Sequence, residues 1–144
     1  MKVGNFSFPD DLLYDTEKHV WIKVEGNVVT VGITDIGQYI AGKIFQVTVK
    51  EVNEKVNPRS NLFTLESAKW IGKFRLPLDG EVIDTNKEVV DDPSKINKDP
   101  YSAWIVKVKV SNPEQVKSKF KDIKASLPDF EREASRLVRE ASSA

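Results

Sequence analysis

A single histidine, His19, and no cysteine leave this chain few side chains with which to make or break covalent bonds. Without thiolates, and with one imidazole, a metal site would rest almost entirely on carboxylates, and no Asp/Glu spacing has the rhythm of a cation-binding loop. A serine nucleophile has no better support. His19 lies in an amino-terminal stretch, there is no Gly-x-Ser-x-Gly elbow, and no glycine-rich loop could cradle a phosphate. His19, close to Trp21, reads as a hydrogen-bonded structural residue. The chain is therefore expected not to be an enzyme. Any reactive atoms it handles are expected to be attached to it.

One residue is placed to hold such a group. In FTLESAKWIGKFRLPLDGEV, Phe63 to Val82, Lys69 stands between two strand-like runs. Leu62, Thr64 and Glu66 alternate with Phe63 and Leu65 before it, and Ile71, Lys73 and Arg75 alternate with Gly72, Phe74 and Leu76 after it. Period-two alternation predicts two strands joined by a turn near Ala68-Lys69-Trp70, with the lysine projecting into solvent. On spacing alone, an ordinary solvated turn lysine is the simpler reading.

The elements that must position this lysine are mostly strands. Val28–Val31, Ile44–Val49 and Trp104–Val110 are rich in β-branched residues, and Trp104, Val106, Val108 and Val110 fall on one face of the last run. Glu25-Gly26-Asn27, Asn57-Pro58 and Asp79-Gly80 are turn signals, the last suited to a tight hairpin. Short strands with frequent turns predict a compact β sandwich or barrel. Thr34 to Gly42 predicts a short internal helix with a Thr or Asp cap, Ile36 and Ile40 on one side, and a terminating glycine. From Ser111 the composition shifts to Lys, Glu and Ser. Asn112-Pro113 opens a helix of about three turns carrying Val116, Phe120 and Ile123. Leu127-Pro128 then interrupts. A second helix follows with a stripe of Phe130, Ala134, Leu137, Val138 and Ala141, expected to dock on the domain or on a partner through Phe130, Leu137 and Val138. The division expected is a β domain over residues 1–111 and a helical extension over 112–144.

The whole chain, 144 residues, is the size of one domain. Lys plus Arg and Asp plus Glu both count 22, so no global field draws it to nucleic acid or to an anionic membrane. No signal peptide or membrane span is legible, and cytoplasm is the expected compartment.

Several segments, in order, resemble the glycine cleavage system H-protein family. TEKHVW (Thr16 to Trp21) is similar to its amino-terminal signature, TVGITDIGQYIAGKI (Thr30 to Ile44) to its strand-helix segment, and LESAKW with PLDGEV to its lipoylation hairpin; DPSKINKDPYSAW and SNP continue the series. The resemblance spans roughly Tyr14 to Val116. It implies a barrel-sandwich hybrid of the lipoyl/biotinyl-carrier type, with lipoic acid amide-linked to Lys69 and with Glu66, Ser67 and Ala68 as the context a lipoyl ligase or transferase reads. It also implies a carrier role between glycine decarboxylase, aminomethyltransferase and dihydrolipoyl dehydrogenase. Biotin fits less well, since biotinyl domains resemble Met-Lys-Met at the attachment site and Lys69 lies between Ala68 and Trp70.

Departures from the family pattern are specific. Val20 follows His19 where the family usually has an acid, and Lys73 stands where Asp or Glu is common, so the expected arm cleft of His19, Val20 and Lys73 lacks carboxylates for a cationic aminomethyl cargo. Trp70 replaces a usual small residue, and the second carboxyl-terminal helix runs past the family's usual end. These features suit an alternative in which the same carrier fold serves another oxidation system, such as sulfur oxidation through complexes resembling heterodisulfide reductase. An unmodified structural or interaction module is the alternative of another class.

Overall fold

A computed structural model describes residues 1–143. Along the chain its strands are β1 (Lys2–Val3), β2 (Phe6–Ser7), β3 (Leu13–Asp15), β4 (Val20–Glu25), β5 (Val28–Ile33), β6 (Ile44–Val49), β7 (Lys55–Val56), β8 (Phe63–Ser67), β9 (Trp70–Phe74), β10 (Gly80–Thr85) and β11 (Val106–Val110). Its helices are α1 (Asp35–Ala41), α2 (Lys87–Asp91), α3 (Ser94–Lys98), α4 (Pro113–Ser118) and α5 (Ile123–Ser143). Apart from the β1-β2 hairpin, the strands form two antiparallel sheets, of order β3-β4-β5-β11-β10-β7 and β6-β8-β9, and neither closes into a barrel. Among the described residues, no helix is long and apolar enough to cross a membrane.

Alternation builds the main core. Val20, Ile22, Val29, Val31 and Ile33 of the larger sheet, joined by Val106, Val108 and Val110, meet Val47, Phe63, Leu65 and Phe74 of the smaller one. Each large side chain so buried is worth about 1.5–3 kcal/mol. Trp104 departs from the expected face. It lies just before β11, belongs to a second cluster, and has the Lys107 ammonium 4.8 Å above its ring.

That second cluster joins Phe6, Phe8, Leu12 and Tyr14 to Trp21, Ile36, Phe130, Ala134 and Leu137. It is where α5 packs against the amino-terminal segment. Val138, expected in the docking stripe, is 61% exposed, and Ala134 takes its place. The helix boundaries also differ from expectation. α4 spans only Pro113–Ser118, capped by Asn112 Oδ1 accepting from Gln115 N at 3.1 Å. The break falls at 119–122 because Lys121 and Tyr14 exchange two backbone hydrogen bonds, of 2.7 and 2.8 Å, which take Lys121 out of any helix. Asp122 then caps α5, accepting from Ala125 N at 2.8 Å. Pro128 sits inside α5, where the lost N–H is outweighed by the burial of Phe130, Ala134 and Leu137. Asp79-Gly80 is likewise not a hairpin turn. Gly80 opens β10 opposite Val110, so close that a Cβ there would lie 2.1 Å from the Lys109 carbonyl oxygen.

Candidate functional site

β8 and β9 form a hairpin in which Ser67 pairs with Trp70, leaving Ala68 and Lys69 as an exposed two-residue loop. The inward positions Phe63, Leu65 and Ser67 are buried and Glu66 is half-buried, so the tip stands on a packed base. Ser67 fixes the tip to α1. Its hydroxyl donates to the Ala41 carbonyl at 2.6 Å, satisfying one of the acceptors that a helix end leaves without an internal partner.

Gly42, just past α1, shapes the space beside Lys69. Its φ of 75° suits glycine, and a Cβ there would stand 2.7 Å from Lys69 Cε. The lysine's aliphatic chain lies in that gap. Asn97 of α3 holds the same corner: its amide donates to the Gly42 carbonyl at 2.8 Å and to Gln38 Oε1 at 3.1 Å, while its Oδ1 accepts from Ile44 N at 2.9 Å. Nothing in the local pattern around Asn97 marks this role, because every partner lies more than fifty residues away in sequence.

Next to the tip is a cleft of about 500 Å³. Glu17, Lys18 and His19 form one wall, Gly37 and Ile40 of α1 lie at its base with Ile33, and Trp70, Gly72, Lys73, Phe74 and Arg75 form the other wall. The Trp70 indole lies over Gly72 so closely that a Cβ there would meet it at 2.0 Å; Gly72 thus gives the cleft an aromatic wall. Lys18, Lys73 and Arg75 oppose a single acid, Glu17, so the lining is net basic although the whole chain is neutral. Lys18 Nζ also donates to the Arg75 carbonyl at 2.5 Å, linking the two walls.

The structure brings His19 and Lys73 into this cleft and leaves Val20 out. Val20 is fully buried in the core on β4, paired in register with Ile33. The expected cleft omitted the rest of this lining, including Glu17, Lys18, Ile40, Trp70 and Arg75, whose meeting depends on contacts between distant segments.

His19 has a φ of 61°, unusual for a residue with a Cβ, and its carbonyl accepts from Thr34 N at 2.9 Å. Its Nδ1 is buried and has no hydrogen-bond partner among the described residues. Burial lowers the ring's pKa below the ordinary value, Arg136 adds to that, and Glu133 and Asp15 oppose it. As pH falls, the unfolded chain therefore binds this proton first, and stability drops from about pH 6.5 downward to the folded pKa. Asp129 and Glu133, whose carboxyls are held below their usual range, contribute their losses in a lower window, below about pH 4. His19→Asn, which tolerates the positive φ, should flatten stability between about pH 7 and pH 5. Urea midpoints across that range check it; an unchanged slope would remove His19 as the cause.

An exposed lysine at a hairpin tip, beside an aromatic-walled cleft and on a frame of two antiparallel sheets, is an arrangement that suits a carrier domain. The comparisons agree and narrow the class. The model of the glycine cleavage H-protein family matches residues 12–127. The probable glycine cleavage system H protein 3 of Saccharolobus solfataricus is 60% identical over 96% of this chain and 100% of its own length. The probable H protein 2 of the same organism is 42% identical over 81% of this chain and 82% of its own length. The crystal structure of a glycine cleavage system H protein from Mycobacterium marinum superposes with a TM-score of 0.72 at 27% identity, covering 82% of this chain and 94% of that one. The chain belongs to the glycine cleavage H-protein family, a family of lipoyl carriers.

Proposed function

We propose that Lys69 carries lipoic acid in amide linkage and that the chain is a non-catalytic carrier subunit, visiting the decarboxylase, the aminomethyltransferase and dihydrolipoyl dehydrogenase of a glycine cleavage system. The observation that carries this reading is the tip itself. Lys69 is exposed, its base is held by Ser67 on Ala41, and its stem lies in a gap that any Cβ at Gly42 would fill. When bound, the group supplies a redox-active dithiolane on a long flexible arm. The protein residues do the positioning: a rigid hairpin raises the arm's effective concentration at a docked partner, and Glu66, Ser67 and Ala68 present the lysine to a lipoyl ligase or transferase. Residues 1–111 are the carrier unit in this reading. The helical extension, whose last residue Ala144 lies outside the described residues, braces that unit.

Peptide mapping after treatment with an active lipoyl ligase tests the proposal. One lipoyl group on Lys69 is expected; the same mass on another lysine, or none, would favour the unmodified interaction module.

A second pathway, a carrier for another lipoate-dependent oxidation such as sulfur oxidation, is favoured by one observation. The cleft is rimmed by Lys18, Lys73 and Arg75 against the single acid Glu17. Like charges about 6 Å apart repel by about 3 kcal/mol at an effective dielectric near 20, and the exposure of Lys73 cuts this to about 1 kcal/mol. Val20→Glu would bury a carboxylate, so the test is Lys73→Asp alone. Loaded with the cationic aminomethyl cargo, this variant should retain it about five- to tenfold longer than the natural chain. Equal, slow loss from both would mean that the cleft tolerates the amine, and the glycine cleavage reading would hold.

A further inference from the structure

We propose that α5 is a brace for the cleft: by gripping the segment from Asp15 to His19 from behind, it sets where that wall stands relative to Trp70, and Asp129 is its main positioning residue. The segment needs holding. Glu17 and Lys18 are exposed, their amides are tied to Asp15 Oδ1 at 3.1 and 3.0 Å, and His19 carries the positive φ. On the cleft side its tie is Lys18 Nζ to the Arg75 carbonyl. On the other side Thr16 Oγ1 donates to Asp129 Oδ2 at 2.7 Å, a contact between residues 113 apart in sequence.

Asp129 is itself fixed. Lys121 Nζ lies 2.7 Å from the same oxygen and Arg132 pairs with the other, while the Lys121 backbone is bonded to Tyr14, the middle residue of β3. Four residues along α5, on the same helix face, Glu133 is paired with Arg136. Below these polar contacts Phe130 stacks on Phe8, so the brace stands on a packed base. All of these α5 residues lie beyond residue 127, where the family match ends. α5 itself begins at Ile123, inside that match, and the grip is made by its later turns.

The grip is independent of what Lys69 carries. Its consequence, that the wall governs how well an arm is enclosed, rests on the reading of the cleft as the shelter of a lipoyl arm. Thr16→Val removes the donor with little change of shape, Asp129→Asn removes the charge, and Glu131→Gln on the exposed face of α5 is the control. In the full unmodified chain, amide exchange at Glu17, Lys18 and His19 should rise about tenfold in the first two variants, with β8, β9 and the rest of α5 unchanged. A purely stabilising contact would instead raise exchange along α5 and β3 together. In the lipoylated chain, reaction of the dithiolane with a water-soluble phosphine should quicken several-fold in Thr16→Val.

Unchanged exchange in both folded variants would overturn the brace. Faster exchange with unaltered arm reactivity would overturn the link from wall to enclosure. A natural-chain arm that reacts as fast as free lipoamide would overturn the shelter reading itself, and exchange alone would then decide the brace.

Discussion

Lys69→Arg is expected to abolish lipoylation while leaving the fold intact. Lys69 is exposed at the hairpin tip and makes none of the hydrogen bonds described above that hold it, and an arginine can lay a similar aliphatic stem beside Gly42, so the substitution should shift stability by no more than about 0.5 kcal/mol. The guanidinium remains protonated and is no nucleophile toward an activated acyl group, so the loss of modification should be complete. Two neighbouring variants separate attachment from presentation. Ser67→Ala leaves the Ala41 carbonyl without its hydroxyl donor, at a cost of about 1–3 kcal/mol, and loosens the tip without touching the lysine. Gly42→Val fills the gap in which the Lys69 stem lies and strains a positive φ. Both should slow lipoylation without abolishing it, as followed by intact mass over time. Full lipoylation of Lys69→Arg would place the attachment elsewhere and end the carrier assignment for this lysine.

How far these features can be read from sequence depends on the range of the contacts that make them. The hairpin is legible because alternation from Leu62 to Leu76 is local, and α1 is legible because Thr34 and Gly42 are caps with their own local chemistry; Thr34 Oγ1 does accept from Gly37 N, at 3.1 Å. The break at 119–122 is illegible, since the helical spacing of Val116, Phe120 and Ile123 is sound and only the Tyr14 backbone, over a hundred residues away, overrides it. Val20 shows two signals in conflict. Strand periodicity places it with Ile22 in the core, while the family resemblance suggests a place beside the arm cleft, and the core prevails. The basic cleft is invisible in a net charge of zero, because Lys18 and Arg75 come together only when the segment before β4 folds against β9.

The packing of α5 supplies the other large effect. Phe130→Ala should lower the free energy of unfolding by about 3–5 kcal/mol, the range for deleting a buried aromatic. Phe130 is 2% exposed, its ring lies 3.8 Å from that of Phe8 at an interplanar angle of 10°, and it meets Tyr14 edge-on with centroids 5.2 Å apart. Such pairs add about 0.5–1.5 kcal/mol to area burial, and the Tyr14 hydroxyl, donating to the Pro9 carbonyl at 2.5 Å, keeps that ring from following a retreating neighbour. The space left should therefore stay partly open, which places the cost toward the upper end of the range. For a chain of this length the thermal midpoint should fall by roughly 10–20 °C. Val138→Ala, one position past Leu137 on the same helix but 61% exposed, should change stability by less than about 0.5 kcal/mol. Denaturant melts of the two variants read against each other locate the docking face. A loss below about 1 kcal/mol for Phe130→Ala would mean that α5 is not seated on Phe8 and Tyr14 in solution, and the brace on the Asp15 to His19 wall would lose the base it stands on.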